Sequence, residues 1–318
     1  MHKDFRLTVD GHPQRRGVTL LELMVVMAII GLLLALTLPA VQSVRGAARK
    51  TTCQNHLRQL ALAIDQFESN QGRYPVNYLF GPYGHGPDSK AWSFWIEVLP
   101  LLDLGALLEE GNVPNSTLRE SGIADRTIPI FLCPSDPFSN QGARFDAGNM
   151  LEHDFPVGQL NYKGVLGANW GADETQKWTP AESGTRWPNP SKKGNYDGLN
   201  HGDGLFSRIS WRRPLNKDRV LDGTSQTFLL GEALPEFDAY CSWPYGNNVH
   251  STCAIPPNQL TDDDPRDWPN TQSFRSRHTG GLFFAFVDGS VRFVKQEIDL
   301  QVYRALATIA GSEVVEAP

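Results

Sequence analysis

Hydrophobic and polar positions divide the chain near its N-terminus. Residues 1–17 are mostly polar, with Lys3, Arg6, Arg15 and Arg16 set against Asp4 and Asp10, and from Val18 to Leu38 the chain is almost uninterruptedly apolar. A run of that length makes about 30 Å of helix, the thickness of a bilayer core, so one membrane-spanning helix is predicted over 18–38. A secretory signal peptide has a shorter apolar core followed by a small-residue cleavage site. Here the run is longer and Gly17 lies before it, the wrong order for ordinary secretion. Beyond Pro39 the pattern turns amphipathic. Cys53, Leu57, Leu60, Ile64 and Phe67 recur at spacings of four and three, while Gln54, Arg58, Gln59, Asp65 and Glu68 lie off that stripe. The helix is therefore expected to continue over 39–72, ending at Asn70-Gln71-Gly72 where glycine can take the left-handed cap. Its second half should pack on a globular head, with Cys53 on the packing face.

The remaining pattern, residues 73–318, is that of one mixed α+β head with long loops. Residues 72–90 read as loop. Trp92 to Leu108 reads as a helix capped by Ser89 or Ser93 and interrupted at Pro100. Ile128–Leu132, Tyr162–Leu166 and Thr227–Leu230 are strand-like, and 171–200 is a polar surface loop. The plainest later element is Leu282-Phe-Phe-Ala-Phe-Val287, Asp288-Gly289, Ser290-Val-Arg-Phe-Val294. Two apolar runs about Asp-Gly predict a hairpin with a type I′ turn. Ile298, Val302, Leu306 and Ile309 carry helical spacing. The fold class is α+β, a long helix against an antiparallel sheet.

Composition narrows the function classes. The chain has 318 residues, a net charge of −6, 29 Gly and 22 Pro. That acidity argues against a nucleic-acid partner, and the turn-rich composition against a helix bundle. Four cysteines, at 53, 133, 241 and 253, contain no C-x-x-C and match no zinc pattern. In an exported domain they allow three connectivities. Cys241 and Cys253, close in sequence, would staple one loop and leave Cys53 with Cys133, with buried free thiols as the ordinary alternative.

The string Arg15-Arg16-Gly17-Val18-Thr19-Leu20-Leu21-Glu22-Leu23 resembles the type III signal of type IV prepilins. In that family a membrane aspartic peptidase cuts after the glycine and methylates the new N-terminus. The resemblance makes Gly17 the last leader residue and Val18 the first mature one, where phenylalanine is usual. Glu22 falls at mature position five and Pro39 at position twenty-two, both family positions. Four further strings resemble a large bacterial family of prepilin-type proteins of unknown function: Cys53-Gln-Asn-His-Leu-Arg-Gln-Leu60; Phe131-Leu-Cys133-Pro-Ser-Asp136; Leu221-Asp222-Gly223-Thr-Ser-Gln-Thr-Phe-Leu-Leu-Gly-Glu232; and His278, nine residues, then Asp288-Gly289. The resemblance implies a pilin-like head. It also implies an inner-membrane protein with a single pass, its head in the periplasm or at the cell surface or in an extracellular filament. The implied partners are prepilin peptidase, membrane lipid, and other copies or other pilin-like subunits.

A carboxylate at the centre of a span costs about 2.5–3.5 kcal/mol. Glu22, near the end of the span, costs less yet calls for a partner. Either it reaches the headgroups, or it pairs with the free amine of Val18 on a neighbouring subunit and sets register. Pro39 removes a backbone donor and loosens the helix, or simply marks its exit from the membrane. The head carries no H-E-x-x-H, G-x-S-x-G, P-loop or dinucleotide fingerprint, so no enzymatic activity is expected. His278 with Asp288 would suit a metal or acid–base pair, but a turn at Asp288-Gly289 with His278 hydrogen-bonded near its base explains both. Oxygen-rich loops suit calcium, and Asp197, Asn200, His201 and Asp203, or Asp262-Asp263-Asp264 with Asp267, provide them without EF-hand spacing. Calcium is thus the one cofactor to consider, and none is expected. The leading expectation is a structural pilin-like or pseudopilin-like subunit. The alternatives are a membrane-tethered surface binding protein that never polymerises and an exported hydrolase using His278 or His201.

Overall fold

One helix, α1 (Leu20–Gln71), carries both the apolar run and the amphipathic stripe, with Pro39 inside it. It begins with a capping box. Thr19 Oγ1 accepts from the Glu22 N–H at 3.2 Å, and Glu22 Oε2 accepts from the Thr19 N–H at 2.8 Å. It ends as the pattern predicts, with Gly72 at φ +66° donating to the Glu68 carbonyl at 2.7 Å. The computed structural model describes residues 19–78, 86–148, 150, 154–169, 202–259 and 264–312. The chain forms two compact units, residues 1–48 and 49–318. In the first, every described side chain between 19 and 45 is exposed, apolar ones included. An 18-residue window of α1 reaches a mean hydropathy of 2.6 with none of it buried, and the helix is long and apolar enough to cross a membrane.

The second unit is built on a five-stranded sheet. Its strands are β1 (Tyr162–Val165), β2 (Phe228–Glu232), β3 (His250–Ser251), β4 (Gly281–Phe286) and β5 (Val291–Lys295), in spatial order β3-β1-β2-β4-β5. All neighbours are antiparallel except β1 and β3, so the sheet is mixed rather than purely antiparallel. Alternation along the strands separates two apolar faces. Tyr162, Leu230, Phe283 and Ala285 lie in one core with Cys53, Leu57, Leu60 and Ile64 of α1 and with Trp92, Phe94, Trp95, Phe131 and Trp243. Val165, Phe228, Leu282, Phe284, Phe286 and Val294 lie in another with Tyr303 and Leu306, contributed by the C-terminal helix α6 (Leu300–Ala305) and its end. Burial on both faces explains why Leu282–Val287 reads as a continuous apolar run rather than an alternating one. Trp92, Trp95 and Trp243 are fully buried core residues.

Several local expectations are corrected. The segment from Trp92 to Leu108 is not one helix. It breaks into α2 (Trp95–Val98), a 3₁₀ turn (Leu99–Leu102) and α3 (Gly105–Glu110), with Asp103 left-handed at φ +60° between the last two. Ile128–Leu132 holds a 3₁₀ turn, because Pro129 fixes a helical φ at its start. Two further short helices, α4 (Leu118–Ser121), with a Thr117/Glu120 capping box, and α5 (Trp268–Thr271), lie in the connections. The hairpin joins β4 and β5 as expected, but its turn is not type I′. Only Gly289 has positive φ, at +81°. Its N–H donates to the Phe286 carbonyl at 2.9 Å, and Phe286 N–H donates to the Ser290 carbonyl at 2.8 Å. This is a three-residue loop with glycine at the bulge position.

Candidate functional site

Each of the four strings that carry the family resemblance delivers one side chain to a single buried cluster. The apolar stripe of α1 turns Cys53 inward. The 3₁₀ turn Pro129–Phe131 aims Cys133 at it, and the two are joined by a disulfide. Glu232 ends β2 and His278 stands just before β4. Their side chains are 2% and 4% exposed, with Glu232 Oε1 3.2 Å from His278 Nε2. The second oxygen, Glu232 Oε2, accepts from the Phe283 N–H at 2.7 Å. The carboxyl group is thus held by a backbone donor and by the imidazole together, as a buried polar group requires. Cys133 Sγ lies 3.8 Å from Glu232 Oε1 and 3.9 Å from His278 Nε2. A disulfide carries no proton, so Cys133 Sγ donates to neither. His278 also meets the Phe283 ring edge-on at 5.4 Å.

Asn161 ties the surrounding segments. Its Oδ1 accepts from the Cys133 N–H at 2.9 Å, and its Nδ2 donates to Asp136 Oδ2 at 2.8 Å and to the Ala233 carbonyl at 2.9 Å. The sequence assigned no role to Glu232, which only closes a family string, or to Asn161. The available signal was a glutamate closing a wholly apolar strand, Phe-Leu-Leu-Gly-Glu, where burial demands a partner.

The other predicted residues lie elsewhere. Asp288 is not paired with His278, and His278 does not sit at the base of the turn. The six residues of β4 stand between them, about 20 Å of strand. Asp288 instead approaches Arg292, at 4.0 Å. Asp222 accepts from Thr308 Oγ1 and from the Gly311 and Ser312 N–H groups at 3.0, 2.7 and 2.8 Å, beside Gly223 at φ +95°. Asp203 accepts from the Ala168 and Asn169 N–H groups at 2.8 and 3.3 Å. Gly17, Val18, Asp197, Asn200, His201, Asp262, Asp263 and the whole 171–200 loop lie outside the described residues. Cys241 and Cys253 are not bonded to each other, correcting that pairing; both are buried free thiols. Cys253 packs in the α6 core against Tyr303, while Cys241 faces Asp238 and Lys163. Burial pushes both thiols well up, which makes them poor nucleophiles.

A family model described as a protein of unknown function (DUF1559) matches residues 42–301. The prokaryotic N-terminal methylation motif matches residues 12–38. The type II secretion system core protein G of Pseudomonas aeruginosa is 37% identical over 62 residues, 20% of this chain and 44% of that protein. The type IV major pilin protein PilA of Myxococcus xanthus is 36% identical over 63 residues, 20% of this chain and 29% of that protein. The chain thus spans less than half the length of these relatives, and the likeness lies at the N-terminus. No solved structure matches it significantly. With the unknown-function model covering most of its length and a pilin-type motif ahead of it, this chain belongs to the DUF1559 family and carries a prepilin-like, membrane-anchoring N-terminus.

Proposed function

We propose that the chain is a pilin-like or pseudopilin-like structural subunit. Prepilin peptidase cuts it after Gly17, residues 18–38 hold it in the inner membrane, and it assembles with itself or other pilin-like subunits in a pilus- or type II secretion-like system. The observation that carries this reading is the apolar part of α1 that lies within the methylation motif. Its side chains are apolar and exposed all round, with Leu20 at 76%, Leu33 at 56% and Leu36 at 67%. A helix apolar on every side needs lipid or other helices around it. No catalytic role is assigned to the head.

Glu22 supplies register in this reading. Among the described residues its carboxylate is bound by Thr19, accepting from the N–H at 2.8 Å and from Oγ1 at 2.9 Å. Cleavage after Gly17 creates a cationic amine at Val18, a stronger partner for a carboxylate near lipid than a neutral donor.

Mass spectrometry of the mature N-terminus is the first test, with a chain beginning at methylated Val18 expected. One beginning at Met1, or cut after Leu38, overturns the reading. In a second test Glu22→Leu inserts in the membrane normally but fails to enter filaments; unchanged incorporation rejects the register role. Crosslinking that finds only processed monomers would favour a tethered protein that does not polymerise.

A further inference from the structure

Cys53 Sγ, Cys133 Sγ, a carboxylate oxygen of Glu232 and a ring nitrogen of His278 all lie within 4.8 Å of one another. Two sulfurs, one imidazole nitrogen and one carboxylate oxygen form a donor set suited to zinc, and poorly suited to calcium or magnesium, which prefer oxygen alone. Tetrahedral zinc, with bonds of about 2.3 Å to sulfur and about 2.0 Å to nitrogen and oxygen, places its ligand atoms roughly 3.3–3.8 Å apart. Glu232 Oε1 and His278 Nε2 are 3.2 Å apart, and each stands 3.8–3.9 Å from Cys133 Sγ. Three of the four donors therefore already lie within a few tenths of an ångström of the separations of a filled site. The two sulfurs do not, because they are bonded to each other.

We propose that this cluster is a redox-gated site for one zinc-class ion. It is closed to metal while Cys53 and Cys133 form a disulfide and open once they are reduced. A dithiol gives the disulfide two electrons and two protons and itself becomes a disulfide. The ion then replaces the two thiol protons, which leave to solvent, and is held by two thiolates, Glu232 and His278. All four positions are taken by protein, so the bound ion is structural rather than catalytic.

Surrounding bonds already orient the donors. Phe283 N–H holds the second Glu232 oxygen at 2.7 Å, and Asn161 Oδ1 fixes the Cys133 backbone at 2.9 Å. Such outer contacts normally aim metal ligands. The donors come from four segments, Cys133 standing 80 positions after Cys53 and Glu232 99 positions after Cys133. No short-spacing zinc motif can therefore reveal the site. The inference concerns the head alone and stands whether or not the chain assembles.

The test uses the full chain in detergent, oxidised or reduced with a phosphine that is then removed, and titrated with Co(II). The reduced chain is expected to bind one ion, showing sulfur-to-cobalt charge transfer and tetrahedral d–d absorption, and to yield it to Zn(II). The oxidised chain is expected to bind none. A reduced chain with no such spectrum, or an oxidised chain that binds equally, overturns the proposal. Because both samples are wild type, the comparison does not depend on any variant folding. Cys241→Ser with Cys253→Ser should bind as wild type, whereas His278→Ala should bind at least tenfold more weakly. Loss of the spectrum in the Cys241/Cys253 variant, or none in binding by His278→Ala, overturns it as well.

Discussion

Lys163 Nζ lies 2.8 Å from Asp238 Oδ2, with side chains 0% and 1% exposed. Nothing in Tyr-Lys-Gly-Val announces a buried cation, because its partner stands 75 residues away. Asp238 Oδ1 also accepts from the Tyr240 N–H at 2.8 Å. Removing one member of such a pair strands the other charge, at about 3–5 kcal/mol, whereas apolar replacement of both is often close to neutral. Lys163→Met should therefore shift the urea midpoint strongly, with Lys163→Met/Asp238→Leu recovering most of the loss. A single variant within about 1 kcal/mol of wild type would contradict this. His250 is a second buried group. Its Nε2 is 3.2 Å from Asn77 Nδ2, an amide donor, so the ring nitrogen accepts and the imidazole is neutral. Burial first, then Lys163 and Arg208, lowers its pKa from 6.5 to about 3. Below the unfolded value the unfolded chain binds the proton and the native one does not. Stability is thus lost as pH falls from about 6.5 towards 3, by up to about 1.4 kcal/mol per pH unit. His250→Gln, which keeps an acceptor, should flatten that acid limb in thermal unfolding; an unchanged slope would assign it to other groups.

Among elements, the β4–β5 hairpin was the most legible and still held a surprise. Two apolar runs around Asp288-Gly289 fixed the pairing, because one residue of slip would exchange Phe283 and Ala285 with Leu282 and Phe284 between the two faces. The turn type was not legible, since Asp-Gly serves both a two-residue loop and a glycine bulge. Gly289 sits at φ +81°, and a Cβ there would meet only Leu62 Cδ2 at an ordinary 3.4 Å. The penalty for substitution is therefore conformational rather than steric. Gly289→Ala should cost about 1–2 kcal/mol, and Gly289→Asn less because asparagine tolerates the left-handed region. Equal melting temperatures for all three would refute that. The split of 95–110 into short helices was less legible: apolar periodicity shows which residues are buried but not where the backbone must turn around them.

For the whole molecule, the covalent link that matters lies within the second unit and joins the C-terminal part of α1 to the segment at Cys133. Cys53–Cys133 closes a separation of 80 residues, for which loop entropy gives about 4.5 kcal/mol and measured bridges typically 2–4 kcal/mol. Cys53→Ser/Cys133→Ser should lower unfolding free energy by about 2–5 kcal/mol, read by urea titration under oxidising conditions. Unchanged stability would mean that packing of Leu57, Leu60 and Ile64 alone holds the helix in place. Cys241→Ser/Cys253→Ser provides the contrast, because those thiols carry no bond to lose.

What the sequence determined by itself is local. Length and hydropathy are sums over neighbouring residues, so the apolar helix behind Gly17, its amphipathic continuation to Gln71 and the hairpin could be read directly. The α+β class followed from those periods. Tertiary structure decided what meets what: the parallel edge strand β3, the free state of Cys241 and Cys253, and the gathering of Cys53, Cys133, Glu232 and His278. Contacts between segments 80 and 99 residues apart leave no periodic trace, because chain geometry correlates side chains only over a few residues. Only the packing of α1 against the sheet brings those four side chains within reach.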